Sequence, residues 1–83
     1  MITGAQMRAA RALMRWSAQD LADHARLGVA TIRRAELVDG EPSITAANAD
    51  AARRALETAG VEFIPENGGG AGVRLKKRDE ASA

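Results

Sequence analysis

Apolar residues recur at three- and four-residue spacing as far as Gly60 and then begin to alternate, so the chain predicts helices followed by strands. Met7, Ala10, Leu13 and Met14 share one stripe behind Thr3 and Gln6, a T-x-x-Q capping pattern that sets a first helix over residues 4–14. Ser17 and Asp20 offer an N-cap with an acid at N3, and Trp16 and Leu21 the matching hydrophobic staple. The second helix therefore runs over 18–25, with Leu21, Ala22 and Ala25 inward and His24 exposed on the polar side. Arg26, Leu27 and Gly28 break the pattern. Gly28 then serves as N-cap of a third helix over 29–38, with Leu27 and Ile32 as its staple. Ile32, Ala35 and Val38 face inward there, and Ala30, Thr31, Arg33 and Arg34 outward. Asp39-Gly40-Glu41-Pro42 reads as a turn. From Thr45 a fourth helix reaches Ala59, carrying Ala49, Ala52, Leu56 and Ala59 on one stripe, with Gly60 placed to end it.

Beyond Gly60 the period becomes two. Residues 61–64 and 73–76 predict two short strands whose apolar face is Val61, Phe63, Val73 and Leu75. Glu62 opposite Arg74 or Lys76 would favour one register. The glycine-rich loop between them, Pro65 to Gly72, has no helix after it to cradle a phosphate, so it reads as a hairpin connection. The division expected is a helical domain over 1–60, a strand pair over 61–78 acting as a dimerisation element, and a disordered tail over 79–83.

Composition narrows the function classes. At 83 residues, one small domain fits. No cysteine and a single histidine, His24, leave no disulfide framework, thiolate zinc site or thiol nucleophile, and no histidine cluster for a metal. No cofactor is implied. No apolar run approaches the roughly 18 residues of a membrane span, and the arginines within the first sixteen residues do not suit a signal peptide. A cytoplasmic protein is the expectation. The net charge of +1 conceals an uneven distribution, with an excess of arginine over residues 1–40 and of acid over 41–70. A pI of 8.4 does not itself indicate nucleic-acid binding, so a local basic face would have to supply it. With only Trp16 and Phe63 as aromatics, the alanine-rich core buries little area, and a homodimer is the natural source of more. For an enzyme the only candidates are Glu62, Glu66 and Asn67, without a base, metal set or cleft.

The informative arrangement is two short helices, 18–25 and 29–38, joined by a tight turn, which is helix-turn-helix spacing. Small side chains at Val29, Ala30 and Thr31 would let the second helix enter a major groove deeply, and Arg33 and Arg34 add reach and charge. Residues 8–22, RAARALMRWSAQDLA, followed by Leu27, Thr31, Ile32, Arg34, Glu36, Pro42 and Ser43, resemble the phage Cro/repressor-type (XRE) helix-turn-helix family over residues 5–60. The resemblance implies a mainly α, lambda-repressor-like bundle of four to five helices, here with a short C-terminal β-hairpin or strand pair. It implies a buried ion pair between Arg11 and Glu36, and a helix-capping Ser17 beside a backbone phosphate. It places Gly28 at the head of the recognition helix, Val29, Ala30, Thr31 and Arg34 toward bases or phosphates, and Arg33 beside them. The chain departs from the family at Ala18, where glutamine is usual, at Arg15 and Arg26, where glycine is usual, and in an acidic loop at Asp39 and Glu41. Arg15 and Arg26 are candidate replacements for lost phosphate contacts. The implied function is a bacterial or phage DNA-binding transcription regulator, a homodimeric repressor on a palindromic operator, open to a protein antagonist or co-regulator. The alternative is an antitoxin or antirepressor whose main role is gripping a protein partner.

Overall fold

The computed structural model describes residues 2–76, and its elements are α1 (Gly4–Leu13), α2 (Ala18–Ala25), α3 (Val29–Glu36), α4 (Ala46–Ala59), β1 (Val61–Ile64) and β2 (Gly72–Leu75). The expectations for residues 77–83 lie outside the described residues. The fold is mainly α: four helices with a two-stranded antiparallel sheet at the C-terminal end.

Local capping explains where most helices begin. Thr3 Oγ1 accepts from the Gln6 backbone N–H at 3.0 Å, and Gln6 Oε1 accepts from the Thr3 N–H at 2.8 Å. Ser17 and Asp20 repeat this box on α2 at 3.0 and 2.8 Å, and Thr45 Oγ1 caps α4 through the Asn48 N–H at 3.1 Å. These contacts satisfy N–H groups that a helix start leaves without partners. Gln6 has a second task. Its amide Nε2 donates to the carbonyl oxygens of Ile64 and Gly72 at 3.3 and 3.0 Å, so the residue that caps α1 also ties it to the hairpin.

The third helix is shorter than its expected 29–38 and ends at Glu36. The cause lies on α1. Arg8 Nη1 donates to the carbonyl oxygens of Glu36 and Val38, and the same guanidinium pairs with Asp39, so the chain turns out of the helix toward a cation. The turn in return serves α1: the Gly4 and Ala5 N–H groups donate to the carbonyls of Gly40 and Asp39 at 2.8 and 3.2 Å. A Cβ at Gly4 would lie 2.0 Å from the Val38 oxygen and 2.6 Å from that of Ala35, so only glycine permits this approach. Val38, expected inward, is consequently exposed.

The largest fully buried side chains are Met7, Leu21, Ile32, Leu56 and Val61, one from each helix and one from β1. Alanines 10, 22, 35 and 52 fill the space between them and let the helices approach closely. The hairpin pairs within one chain, Val61 with Leu75, Glu62 with Arg74, Phe63 with Val73 and Ile64 with Gly72. The Lys76 N–H continues the ladder to the Gly60 oxygen at 2.8 Å, while Gly60 ends α4 at φ 116°. Val61, expected among the subunit-interface residues, is wholly buried in the core of its own chain; Phe63 and Val73 are half-buried, and Leu75 is half-exposed. Alternation groups these four on one face but does not say that part of that face closes the monomer's own core.

Candidate nucleic-acid interface

The α2–α3 unit is joined by Arg26, Leu27 and Gly28. Arg26 adopts the left-handed conformation (φ 59°, ψ 45°), and the Leu27 N–H donates to the Ala22 oxygen at 2.8 Å, which folds the chain back across α2. Leu27 packs on the core and Gly28 opens α3 without a side-chain cap. Ile32, Ala35 and Glu36 are the buried side of α3.

Glu36 is held by a two-pronged contact. Arg11 Nε donates to Oε2 at 2.9 Å and Nη2 to Oε1 at 2.8 Å, with side-chain exposures of 24% for Arg11 and 8% for Glu36. Arg11 Nη1 also donates to the Trp16 carbonyl at 2.9 Å, joining α1, α3 and the turn before α2. The hydrogen bonds that Arg11 donates to the Glu36 carboxylate raise its pKa above its ordinary value against the opposing effect of burial. This triad fixes the angle at which α3 stands on the bundle.

The outward side of α3 carries Ala30, Arg33 and Arg34, all exposed, with Val29 and Thr31 half-buried and Val29 packed on the core. Ser17 is exposed and its Oγ accepts the capping bond from Asp20, leaving the hydroxyl proton free to donate outward. The exposed Asp20 carboxylate accepts from the Ser17 N–H, which holds its pKa below the ordinary range. Thr31 and Arg34 also line a shallow groove of about 410 Å³ with Ser43, Ile44, Thr45 and Asn48. Hydroxyls, an amide and a guanidinium around one groove form a donor-rich lining suited to anionic oxygen.

Ion pairing divides the cations into two groups. Arg8 pairs with Asp39, Arg11 with Glu36, Arg53 with Asp50 and Glu57, Arg54 with Asp50, and Arg74 with Glu62. Among the described residues, Arg15, Arg26, Arg33, Arg34 and Lys76 have no such partner. Four of these five lie in α3 or in the turns that precede α2 and α3. Arg15 and Arg26 are also the non-glycine residues with positive φ, 58° and 59°. Arginine at such positions costs about 1 kcal/mol over glycine, although each follows a helix C-terminus where a cation is electrostatically favoured.

Four residues contribute in ways not anticipated from sequence. Gly4 and Arg8 set the end of α3, and His24, expected simply as exposed, stacks on Trp16 with ring centroids 4.1 Å apart at 16°. A glycine at the first position of a strong helix pattern is the one sequence signal that could have marked the Gly4 approach. The fourth is Leu37, which is 81% exposed at the foot of α3. Among the described residues, no group of three or more His, Asp or Glu side chains could hold a metal ion, and no helix is long and apolar enough to cross a membrane. The chain matches no protein-family model and none of the curated proteins.

Proposed function

We propose that the chain is a sequence-specific double-stranded DNA-binding transcriptional regulator of the Cro/repressor (XRE) type, acting as a homodimeric repressor. The observation that carries this reading is the set of arginines at and around α2 and α3 that have no ion-pair partner among the described residues, beside an α3 leading end of small side chains. In this reading α3 enters the major groove from Gly28 onward. Arg34 donates in a bidentate manner to guanine O6 and N7, and Arg33 reaches the neighbouring base or phosphate. Ser17, Arg15 and Arg26 grip the backbone and fix register without reading sequence. The polar groove between α3 and the start of α4 takes a further phosphate. A second copy places its own α3 in the next half-site, about 34 Å away on the same side of the duplex. Leu75 and the hairpin's outer edges remain available for that subunit contact, and a bound dimer represses by occupying the promoter.

Selection of binding sites from random duplex, followed by titration of Arg34→Ala, tests the proposal. The variant should bind the selected site more weakly by about 1–3 kcal/mol and lose preference at one base pair per half-site. Absence of any enriched duplex would overturn the proposal, and uniform weakening on all sequences would reassign Arg34 to a phosphate.

A further inference from the structure

The exposed side of α3 has an order that basic charge alone does not explain. Leu37 caps the helix with φ −67° and ψ −23°, still in the right-handed helical region, so its side chain continues the α3 register. It stands seven residues after Ala30. Seven residues make nearly two turns, so Ala30 and Leu37 lie on one line about 10.5 Å apart. Arg33 and Arg34 are three and four residues from each end of that line and flank it on opposite sides. The face is therefore an apolar row between two cations, and both cations lack ion-pair partners among the described residues. A lone exposed leucine is ordinary, but this one is 81% exposed and in register with the small residue at the head of the helix.

We infer that Ala30 and Leu37 recognise pyrimidine C5-methyl groups about three base-pair steps apart in the major groove. The inference rests on the DNA-binding reading above and names the base chemistry it would select. The floor of a major groove presents thymine methyls beside purine acceptors, and its walls are the phosphate backbones. An apolar row bordered by guanidinium groups is complementary to that cross-section. A spacing of about 10.5 Å equals three steps at about 3.4 Å each. Ala30 meets the first methyl at close range, and the longer Leu37 reaches the second where the helix leaves the groove floor. Thymine and 5-methylcytosine carry the same methyl, so the chemistry is common to both.

The test uses the full chain and the duplex that it selects. Uracil in place of thymine removes only the methyl, and 5-methylcytosine in place of cytosine adds only that group. Uracil at the position facing Leu37 should weaken binding about fourfold, the effect of one buried methyl. If the selected site has cytosine there, methylating it should strengthen binding by the same factor. Leu37→Ala should bind the methylated and unmethylated duplexes equally, with its thermal stability unchanged. Wild-type protein indifferent to the methyl, or Leu37→Ala keeping full sensitivity to it, would overturn the inference while leaving sequence-specific binding intact. Failure to enrich any duplex would overturn both. Leu37→Ala that alters only the sedimentation of the free protein would assign Leu37 to a subunit contact instead.

Discussion

The α4–hairpin region and the α2–α3 region use the same basic residue in opposite ways. On α4 and the hairpin, Arg53, Arg54 and Arg74 are each paired, and Asp50 and Glu62 titrate below their ordinary range because Arg53 and Arg74 hydrogen-bond to them. Such exposed, solvent-screened pairs add little stability. Their effect is to offset those charges locally, although Lys76, just after β2, has no ion-pair partner among the described residues. On and around α2 and α3, Arg15, Arg26, Arg33 and Arg34 have no ion-pair partner among the described residues. A count of arginines does not separate the two regions; pairing does. The lesson extends to Arg11, which belongs to the paired class although it touches α3, because its partner Glu36 is buried. Arg8 and Arg11 hold the frame through the backbone and Glu36 of other elements, whereas the surface pairs of α4 and the hairpin add little.

The strongest way to break this division is to remove the one arginine whose partner is buried. Arg11→Ala leaves the Glu36 carboxylate in the core without its two donors and should cost about 3–5 kcal/mol, enough to unfold so small a domain. Arg11→Met combined with Glu36→Leu should cost much less, since no charge is then stranded. Thermal melts of the single and double variants decide it. An Arg11→Ala protein as stable as the wild type would remove Arg11 from the frame.

How legible each region was follows from the range of the interactions. The starts of α1, α2 and α4 were readable because Thr3 with Gln6, Ser17 with Asp20, and Thr45 with Asn48 act over three residues. The hairpin register was readable only to two choices, Glu62 opposite Arg74 or Lys76, and the structure pairs Glu62 with Arg74. The end of α3 was not, since Arg8 sets it from another helix. Nor was the burial of Val61, because alternation says which side chains share a face and not what covers them. The outward set Ala30, Thr31, Arg33 and Arg34 followed from helical periodicity. Leu37 belongs to the same outward line, seven residues after Ala30, although its 81% exposure at the end of the helix depends on nothing else packing there.

Arg26 has no ion-pair partner among the described residues and adopts a left-handed conformation. Arg26→Gly should raise stability by about 1 kcal/mol, since glycine adopts φ 59° without a Cβ conflict. If Arg26 grips a phosphate, the same change should lower the salt dependence of DNA binding by about one ion while leaving base preference unchanged. Denaturant melts and binding titrations over a range of salt read the two effects separately. A variant no more stable than the wild type would show that the turn carries no strain.

The smallest effect lies at the head of α3, where Gly28 leaves the helix without a side-chain cap. Its φ of −72° and ψ of 143° are open to any residue, and nothing lies within 4 Å of where a Cβ would stand. Backbone geometry therefore does not require glycine there. Ser17 and Thr45 show what a hydroxyl does at the equivalent position of α2 and α4, accepting from the N–H three residues on at 3.0 and 3.1 Å. Gly28→Ser should add the same bond to the Thr31 N–H and reduce the freedom of the unfolded chain. Together these should raise stability by about 0.5 kcal/mol, or roughly 2–4 °C in Tm for a domain of this size. The added hydroxymethyl group also stands at the leading end of the helix proposed to enter the groove. If that end approaches DNA closely, Gly28→Ser should bind the selected duplex more weakly while melting at a higher temperature. A variant that gains stability and binds as well as the wild type would leave the leading end of α3 clear of the DNA and confine contact to Ala30 and beyond.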